Sequence, residues 1–247
     1  MFQTKIVGGD ETGVNEFPMM AGIIVATHRH IRCGATIISN HHVLTAAHCM
    51  RGLNDTSQMG VLVGEHDVTI GWETNATQLF KVFRYDPHPS YDPNKQDFDI
   101  GIITINGFIA FTNEVGPACL PFQHYLDSFG GSVVYMLGWG TDEYAGSQSN
   151  ALRKVEVSVT NFLTCKQVFP GLTYRQICTL SEGMDACQYD SGGPVLWQNP
   201  TTRRLVLVGI ISYGSGCASS APAVNTRVGS FIEWIVRTTG AQFCQAE

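Results

Sequence analysis

Short apolar segments rich in Val and Ile recur along this chain, and Gly, Pro, Asn and Asp punctuate them. They include Met20 to Ala26, Val61 to Gly64, Leu79 to Arg84, Ile100 to Ile105, Val133 to Leu137, Leu152 to Val159 and Leu205 to Tyr213. Most are too short for helices, and β-branched side chains suit a pleated surface, so they read as strands. Regularly spaced short strands pack into sandwiches or barrels. Two stretches read as helices. Asn161 to Phe169 opens with a capping Asn and stops at Pro170. Ser230 to Thr239 places Phe231, Trp234 and Ile235 at helical spacing, with Gly240 beyond. The segment Asn113 to Pro121, with its Gly and Pro, joins two halves in this reading. A length of 247 residues fits one large all-β domain or two small ones.

Composition narrows the function classes. Charged residues make up 15% and hydrophobic ones 44%, which excludes disorder. The net charge is −6, and Arg203-Arg204 is too short for a nucleic-acid surface; a solvated turn is the reading there. The eight cysteines, an even number, point to an oxidising compartment. Zinc is the competing reading, but no C-x-x-C pair exists and His48 adjoins Cys49, which is poor ligand spacing. His28, His30, His41 and His42 have no companion acids at ligand spacing and read as surface or strand residues. No apolar run approaches the roughly 20 residues that span a bilayer. Met1 to Lys5 lacks an apolar signal region, so the chain reads as a mature or shortened form. Sequons at Asn54 and Asn75 fit a secreted, extracellular glycoprotein.

Chemistry concentrates in Leu44-Thr45-Ala46-Ala47-His48-Cys49, Asp97-Phe98-Asp99-Ile100-Gly101-Ile102 and Asp185-Ala186-Cys187-Gln188-Tyr189-Asp190-Ser191-Gly192-Gly193-Pro194. A serine hydroxyl is a weak nucleophile at neutral pH and needs a base within hydrogen-bond reach. An imidazole, with a pKa near ~6.5, can take that proton and return it. A carboxylate can hold the imidazole's other nitrogen. With Ile6-Val7-Gly8-Gly9, these segments resemble the trypsin/chymotrypsin family of serine peptidases, from Ile6 to about Ile235.

The resemblance implies an all-β fold of two packed six-stranded antiparallel barrels with a C-terminal helix. Residues 1–5 would be a propeptide remnant and 6–247 the peptidase domain. That domain divides into an N-terminal barrel (about 6–114), a linker (115–125), a C-terminal barrel (about 126–229) and a helix (about 230–239). It implies Ser191 as nucleophile, His48 as base and Asp99 as its orienting acid. The backbone N–H groups of Tyr189 and Ser191 would form the oxyanion hole, and Gly192 and Gly193 let the chain bend closely there. Tyr189 stands where the family usually has glycine, which keeps the donor but adds a ring at the cleft.

Asp185 falls at the floor of the primary specificity pocket, which implies hydrolysis after Arg or Lys and disfavours a chymotrypsin-like preference. Ala186, Ser212, Gly214, Gly216 and Ala223 would line that pocket, Ser212 and Gly214 pairing with the substrate backbone. Ala223 replaces a wall glycine and Asn225 the usual Tyr behind the pocket. Lys5-Ile6 resembles an activation junction, where the freed Ile6 amine would pair with Asp190. Implied disulfides are Cys33–Cys49, Cys165–Cys178 and Cys187–Cys217. Cys119 and Cys244 either pair with each other or Cys119 links to an upstream prodomain, as in relatives with a regulatory light chain.

No organic cofactor or metal is implied. Glu65 to Asn75 resembles the family's calcium loop, and Glu65 and Asp67 fit it, which leaves calcium near Glu65 as an alternative; Trp72 and Asn75 stand where calcium binders carry acids, so a solvated loop with a sugar at Asn75 is the favoured reading. Pro222 stands where sodium-activated relatives tend to have Tyr. Implied partners are protein or peptide substrates, an activating protease and protein protease inhibitors, with neither nucleic acid nor membrane. Tyr189 and Ala223 support one alternative, a regulatory or weakly active homologue that binds proteins through its cleft.

Overall fold

The computed structural model describes residues 9–26, 30–53, 55–71, 73–141, 147–180, 190–214 and 221–245. Six strands form the first barrel: β2 (Met20–Val25), β3 (Ile31–Ser39), β4 (His42–Thr45), β5 (Met59–Val63), β6 (Gln78–Pro87) and β7 (Gly101–Asn106). They close in the order β2-β3-β4-β7-β6-β5. The second barrel uses β8 (Val133–Gly138), β9 (Arg153–Thr160), β10 (Gln176–Leu180), β11 (Pro194–Gln198), β12 (Leu205–Tyr213) and β13 (Ala223–Arg227). Its order is β9-β10-β13-β12-β11-β8, and pairing of β8 with β9 closes it. All these pairings are antiparallel, so the expected two-barrel, all-β fold is the observed one. Closure removes the sheet edges that would otherwise invite association.

The first short strand, β1 (Asp10–Glu11), pairs with β9 of the second barrel, Asp10 opposite Lys154. Asp10 and Glu11 therefore pair with a strand of the second barrel.

Alternation explains the strands that were plain in the sequence. In β9, Val155, Val157 and Val159 point inward while Glu156 and Ser158 face solvent. β3, β10 and β13 were harder to see. They bury polar residues such as Thr36, Gln176 and Asn225, so hydropathy loses its period there. Ile23, Ile37, Val61 and Ile103 anchor one core, and Val134, Val157, Val195 and Val208 the other.

Helix α1 (Phe162–Val168) starts as expected, with Asn161 Oδ1 accepting from Leu163 N at 2.9 Å. Helix α2 (Ile232–Thr239) begins later than expected, because a 3-10 turn takes Val228–Phe231. Ser230 lies in that turn, and its hydroxyl donates to Tyr174 O at 3.4 Å. Gly240 ends α2 at φ 60, a left-handed conformation that glycine adopts freely. Ile235 and Phe231 bury against the first barrel's core, so α2 returns across the junction.

Disulfides join Cys33 to Cys49, Cys165 to Cys178 and Cys119 to Cys244. Of the two alternatives for Cys119, the structure has the mutual bridge. Cys187 and Cys217 lie outside the described residues. Among the described residues, no helix is long and apolar enough to cross a membrane.

Candidate active site

His48 sits on a 3-10 turn, Ala47–Met50, that follows β4. The Cys33–Cys49 bridge ties this turn to β3. Arg32 adds two bonds, Nε to Cys49 O at 2.7 Å and Nη2 to Arg51 O at 3.1 Å. Tyr85 donates its hydroxyl to Ala47 O at 3.1 Å. Burial first, then the negative charge of Asp99, push that phenol above its ordinary range, so it stays a neutral donor.

Asp99, just before β7, is buried at 2% exposure and faces the same turn. Its Oδ1 accepts from His48 N at 2.9 Å, and its Oδ2 lies 2.7 Å from His48 Nδ1. An ionised carboxylate only accepts, so Nδ1 carries the proton and Nε2 is left as the basic nitrogen. The second barrel completes the carboxylate's surroundings. Ser212 Oγ donates to Asp99 Oδ2 at 2.5 Å, and Thr226 Oγ1 donates to Asp99 O at 2.8 Å. A bulge allows the first contact: Ile211 pairs with Asn225 and Tyr213 with Val224, leaving Ser212 as the extra residue. Sequence reading assigned Ser212 a backbone role alone and gave Thr226 none.

Ser191 lies on the turn entering β11. Gly34 N donates to Ser191 O at 2.9 Å, Gly192 N to Ile211 O at 2.8 Å, and Gly193 N to Asp190 O at 2.9 Å. Gly192 has φ 81, and a Cβ there would lie 2.2 Å from Thr45 Oγ1. A Cβ on Gly34 would lie 2.7 Å from Gly193 Cα. Bare backbone thus meets bare backbone between the barrels. Cys49 Sγ is 3.5 Å from Ser191 O, which brings Ser191 beside the His48 turn. Among the described residues, no hydrogen bond joins His48 Nε2 to Ser191 Oγ; such contacts tighten when substrate binds.

Asp190 is buried, and its Oδ1 accepts from Gly140 N at 2.8 Å. Its carboxylate fits between two glycines: a Cβ on Gly138 or Gly140 would lie 2.0 or 2.4 Å from a carboxylate oxygen. Ala223 opens β13, buried, with its methyl 3.6 Å from where a Cβ on Gly214 would stand, so the two positions adjoin. Asn225 is buried behind it and donates from Nδ2 to Thr179 Oγ1 at 3.0 Å. Lys5, Ile6, Asn54, Trp72, Asp185, Ala186, Tyr189 and Gly216 lie outside the described residues, as does His28.

The Glu65 loop also departs from expectation. Glu73, which the sequence reading passed over, joins it. Burial first, then a hydrogen bond to Glu73, push the Glu65 carboxyl up to about 7. Asp67 Oδ1 accepts from both Thr69 N and Thr69 Oγ1, and Glu73 Oε1 from Asp67 N. The loop thus gathers the carboxyls of Glu65, Asp67 and Glu73, with Glu73 Oε2 buried and without a hydrogen-bond partner among the described residues, while Trp72 and Asn75 remain the departures from the calcium-loop pattern. Cys33, His48 and Cys49 cluster at ligand distances, but the two cysteines are bonded to each other.

Two closed barrels, a histidine held by a carboxylate from one, and a glycine-cradled serine from the other define a serine peptidase architecture. Comparison with known proteins agrees. The Trypsin family model matches residues 6–235. Venom serine protease 34 of Apis mellifera is 47% identical over 99% of this chain, which spans 61% of that relative's length. A venom serine protease of Polistes dominula is 41% identical over 99% of the chain and 89% of its own length. The clotting factor G beta subunit of Tachypleus tridentatus is 32% identical over 97% of the chain and 81% of its own length. The chain belongs to the trypsin family of serine peptidases.

Proposed function

We propose that this chain is a secreted endopeptidase that hydrolyses peptide bonds after Arg or Lys through an acyl-enzyme. The observation that carries the reading is the His48–Asp99 pair beside the Ser191 turn. Asp99 keeps Nδ1 protonated, so Nε2 accepts the Ser191 proton as Oγ attacks the scissile carbonyl. The imidazolium that forms lies against a buried carboxylate and is stabilised there. It then protonates the leaving amine, and water repeats the cycle on the acyl-enzyme. The N–H groups of Tyr189 and Ser191 would receive the oxyanion.

Asp185 at the pocket floor supports the cationic preference, with Ser212, Gly214 and Ala223 along the wall. Asp190, already seated between Gly138 and Gly140, supports activation by cleavage after Lys5: the released Ile6 amine would meet a prepositioned acid. Relatives named as venom and clotting proteases support an extracellular setting with protein substrates, an activating protease and protein inhibitors. Asn75 is exposed and its sequon Thr77 donates to Gly64 O, which supports a glycan at that site, with Asn54 as the second.

The test is fluorophosphonate labelling of the chain before and after cleavage of Lys5–Ile6, followed by a cleavage profile on a mixed peptide library. Labelling of Ser191 only after the cut, with cleavage after Arg and Lys, is the expected result. Absence of labelling in cut protein would instead identify a binding homologue.

A further inference from the structure

The segment that delivers Asp99 is fastened residue by residue to the opposite barrel. Gln96 O accepts from Gln176 Nε2 at 3.2 Å. Asp97 accepts from Arg175 through Nε at 3.1 Å and Nη2 at 2.5 Å, and from Thr173 Oγ1 at 3.2 Å. Phe98 receives the Arg175 guanidinium on its ring at 4.3 Å, and His88 stacks on it at 4.8 Å. Thr173, Arg175 and Gln176 all belong to the approach and start of β10.

The backbone explains why such fastening is needed. Gln96 has φ 50 and Phe98 has φ 56, both in the left-handed region that residues with a Cβ occupy at a cost. These two residues flank Asp97. Such conformations persist where the surroundings hold them; here Asp92 N donates to Asp97 O at 3.1 Å, Phe98 packs on His88 and Phe231, and the Asp97 side chain supplies the bonds to the opposite barrel. Asp97 is 7% exposed and bonds also to its neighbour, Phe98 N, at 2.9 Å. Burial works to raise its carboxyl, but the Arg175 guanidinium and the Phe98 amide outweigh that and hold it below the usual range. It therefore stays an anion facing Arg175. A pair of this kind returns little net stability, because desolvation consumes much of the attraction. Its geometric consequence is greater: a bidentate guanidinium fixes both position and rotation of the carboxylate it binds.

We propose that Asp97 and Arg175 are a positioning pair for the reaction, clamping the strained Gln96–Phe98 turn so that Asp99 meets His48. Among the described residues, neither bonds to His48, Ser191 or the Asp99 carboxylate. The pair acts through the backbone, two residues upstream of the carboxylate it aims. The proposal deepens the peptidase reading above and rests on it for the role of Asp99.

Arg175→Met tests it in the full chain, cut after Lys5, with a small Arg amide substrate. A displaced Asp99 lowers kcat by about 10–100-fold and changes KM far less, since binding is made elsewhere. The low-field proton resonance of the His48–Asp99 hydrogen bond shifts or disappears in the same variant. Arg175→Lys, which retains the charge but not the fork, restores part of kcat. Wild-type kcat and an unchanged resonance in Arg175→Met overturn the proposal, whatever happens to its melting temperature. If Arg175→Met does not fold, Thr173→Val removes one bond to Asp97 and has to move both readouts in the same direction; no movement overturns the proposal. If wild-type protein has no turnover, the peptidase reading fails separately, and the resonance in the variants still decides the clamp.

Discussion

The His48–Asp99 half of the site is held through side chains, and the Ser191 half through bare backbone. His48 and Asp99 are fixed by a disulfide, a guanidinium, a phenol and two hydroxyls, each acting on a specific atom. The Ser191 turn is fixed by backbone hydrogen bonds to Gly34 and Ile211 and by glycines too close to neighbouring atoms to carry a Cβ. The difference follows from the roles proposed for these residues. A base and its acid need an aimed dipole. A nucleophile needs clearance on every side, together with exposed N–H groups for the developing oxyanion. Loss of the side chains around His48 and Asp99 should therefore lower the rate of a folded protein, whereas filling the glycines around Ser191 should dismantle the junction itself.

Removing the chemistry is the largest way to break this comparison. Ser191→Ala and His48→Ala should each lower kcat by roughly a millionfold, the scale expected when a member of a serine triad is deleted, and the double variant should fall no further. Peptide hydrolysis by the cut protein measures it; additive losses would mean that the two do not act as a unit.

A pair of glycine variants sharpens the comparison. Gly52 and Gly192 have similar conformations, φ 77 and φ 81. Nothing lies within 4 Å of a Cβ at Gly52, whereas Gly192 would meet Thr45 Oγ1 at 2.2 Å and Gly34 O at 2.5 Å. Gly52→Ala should cost about 1 kcal/mol, the backbone penalty alone. Gly192→Ala should cost about 3 kcal/mol or more, because strain and overlap add. Denaturant midpoints compare them, and equal shifts would deny the close docking of the barrels.

Smaller effects come from the pocket and the loop. Ala223→Gly removes one methyl from the wall facing Gly214 and should change the ratio of Arg to Lys cleavage by up to roughly tenfold; paired peptide substrates measure that ratio. Glu65 concerns stability alone. Its folded pKa of about 7 stands above its ordinary value of 4.5, so across that interval the native state keeps a proton that the unfolded chain has lost. Stability contributed by this proton is present below pH 4.5 and declines as pH rises towards 7. Glu65→Gln should flatten the decline and raise the melting temperature at pH 8 by about 2–4 °C relative to wild type, with little change at pH 4. Thermal scans at both values check it.

Strand periodicity was legible wherever one face met solvent, as in β9, and failed where polar residues go inside, as at Thr36 in β3 and Asn225 in β13. The Asn161 cap was legible because capping is local. The delayed start of α2 was not, since the 3-10 turn before it depends on packing across the junction. Within the site, motif order pointed to His48, Asp99 and Ser191 as candidates. Nothing in the sequence pointed to the Ser212 hydroxyl, Thr226 or Arg175, because each reaches Asp99 or its turn from a strand far along the chain.

What the amino-acid order determined by itself was local: residue types with the right reactivity, glycines where the backbone must turn or approach closely, and an even set of cysteines. Tertiary structure decided the rest. It chose the Cys119–Cys244 pairing, aimed one carboxylate at one imidazole, and raised the Glu65 carboxyl by burying it beside Glu73. The physical reason is range. Conformational preference acts over a few residues, whereas hydrogen bonds, burial and charge act over a few ångströms, and only the closed barrels make those ångströms connect distant parts of the chain.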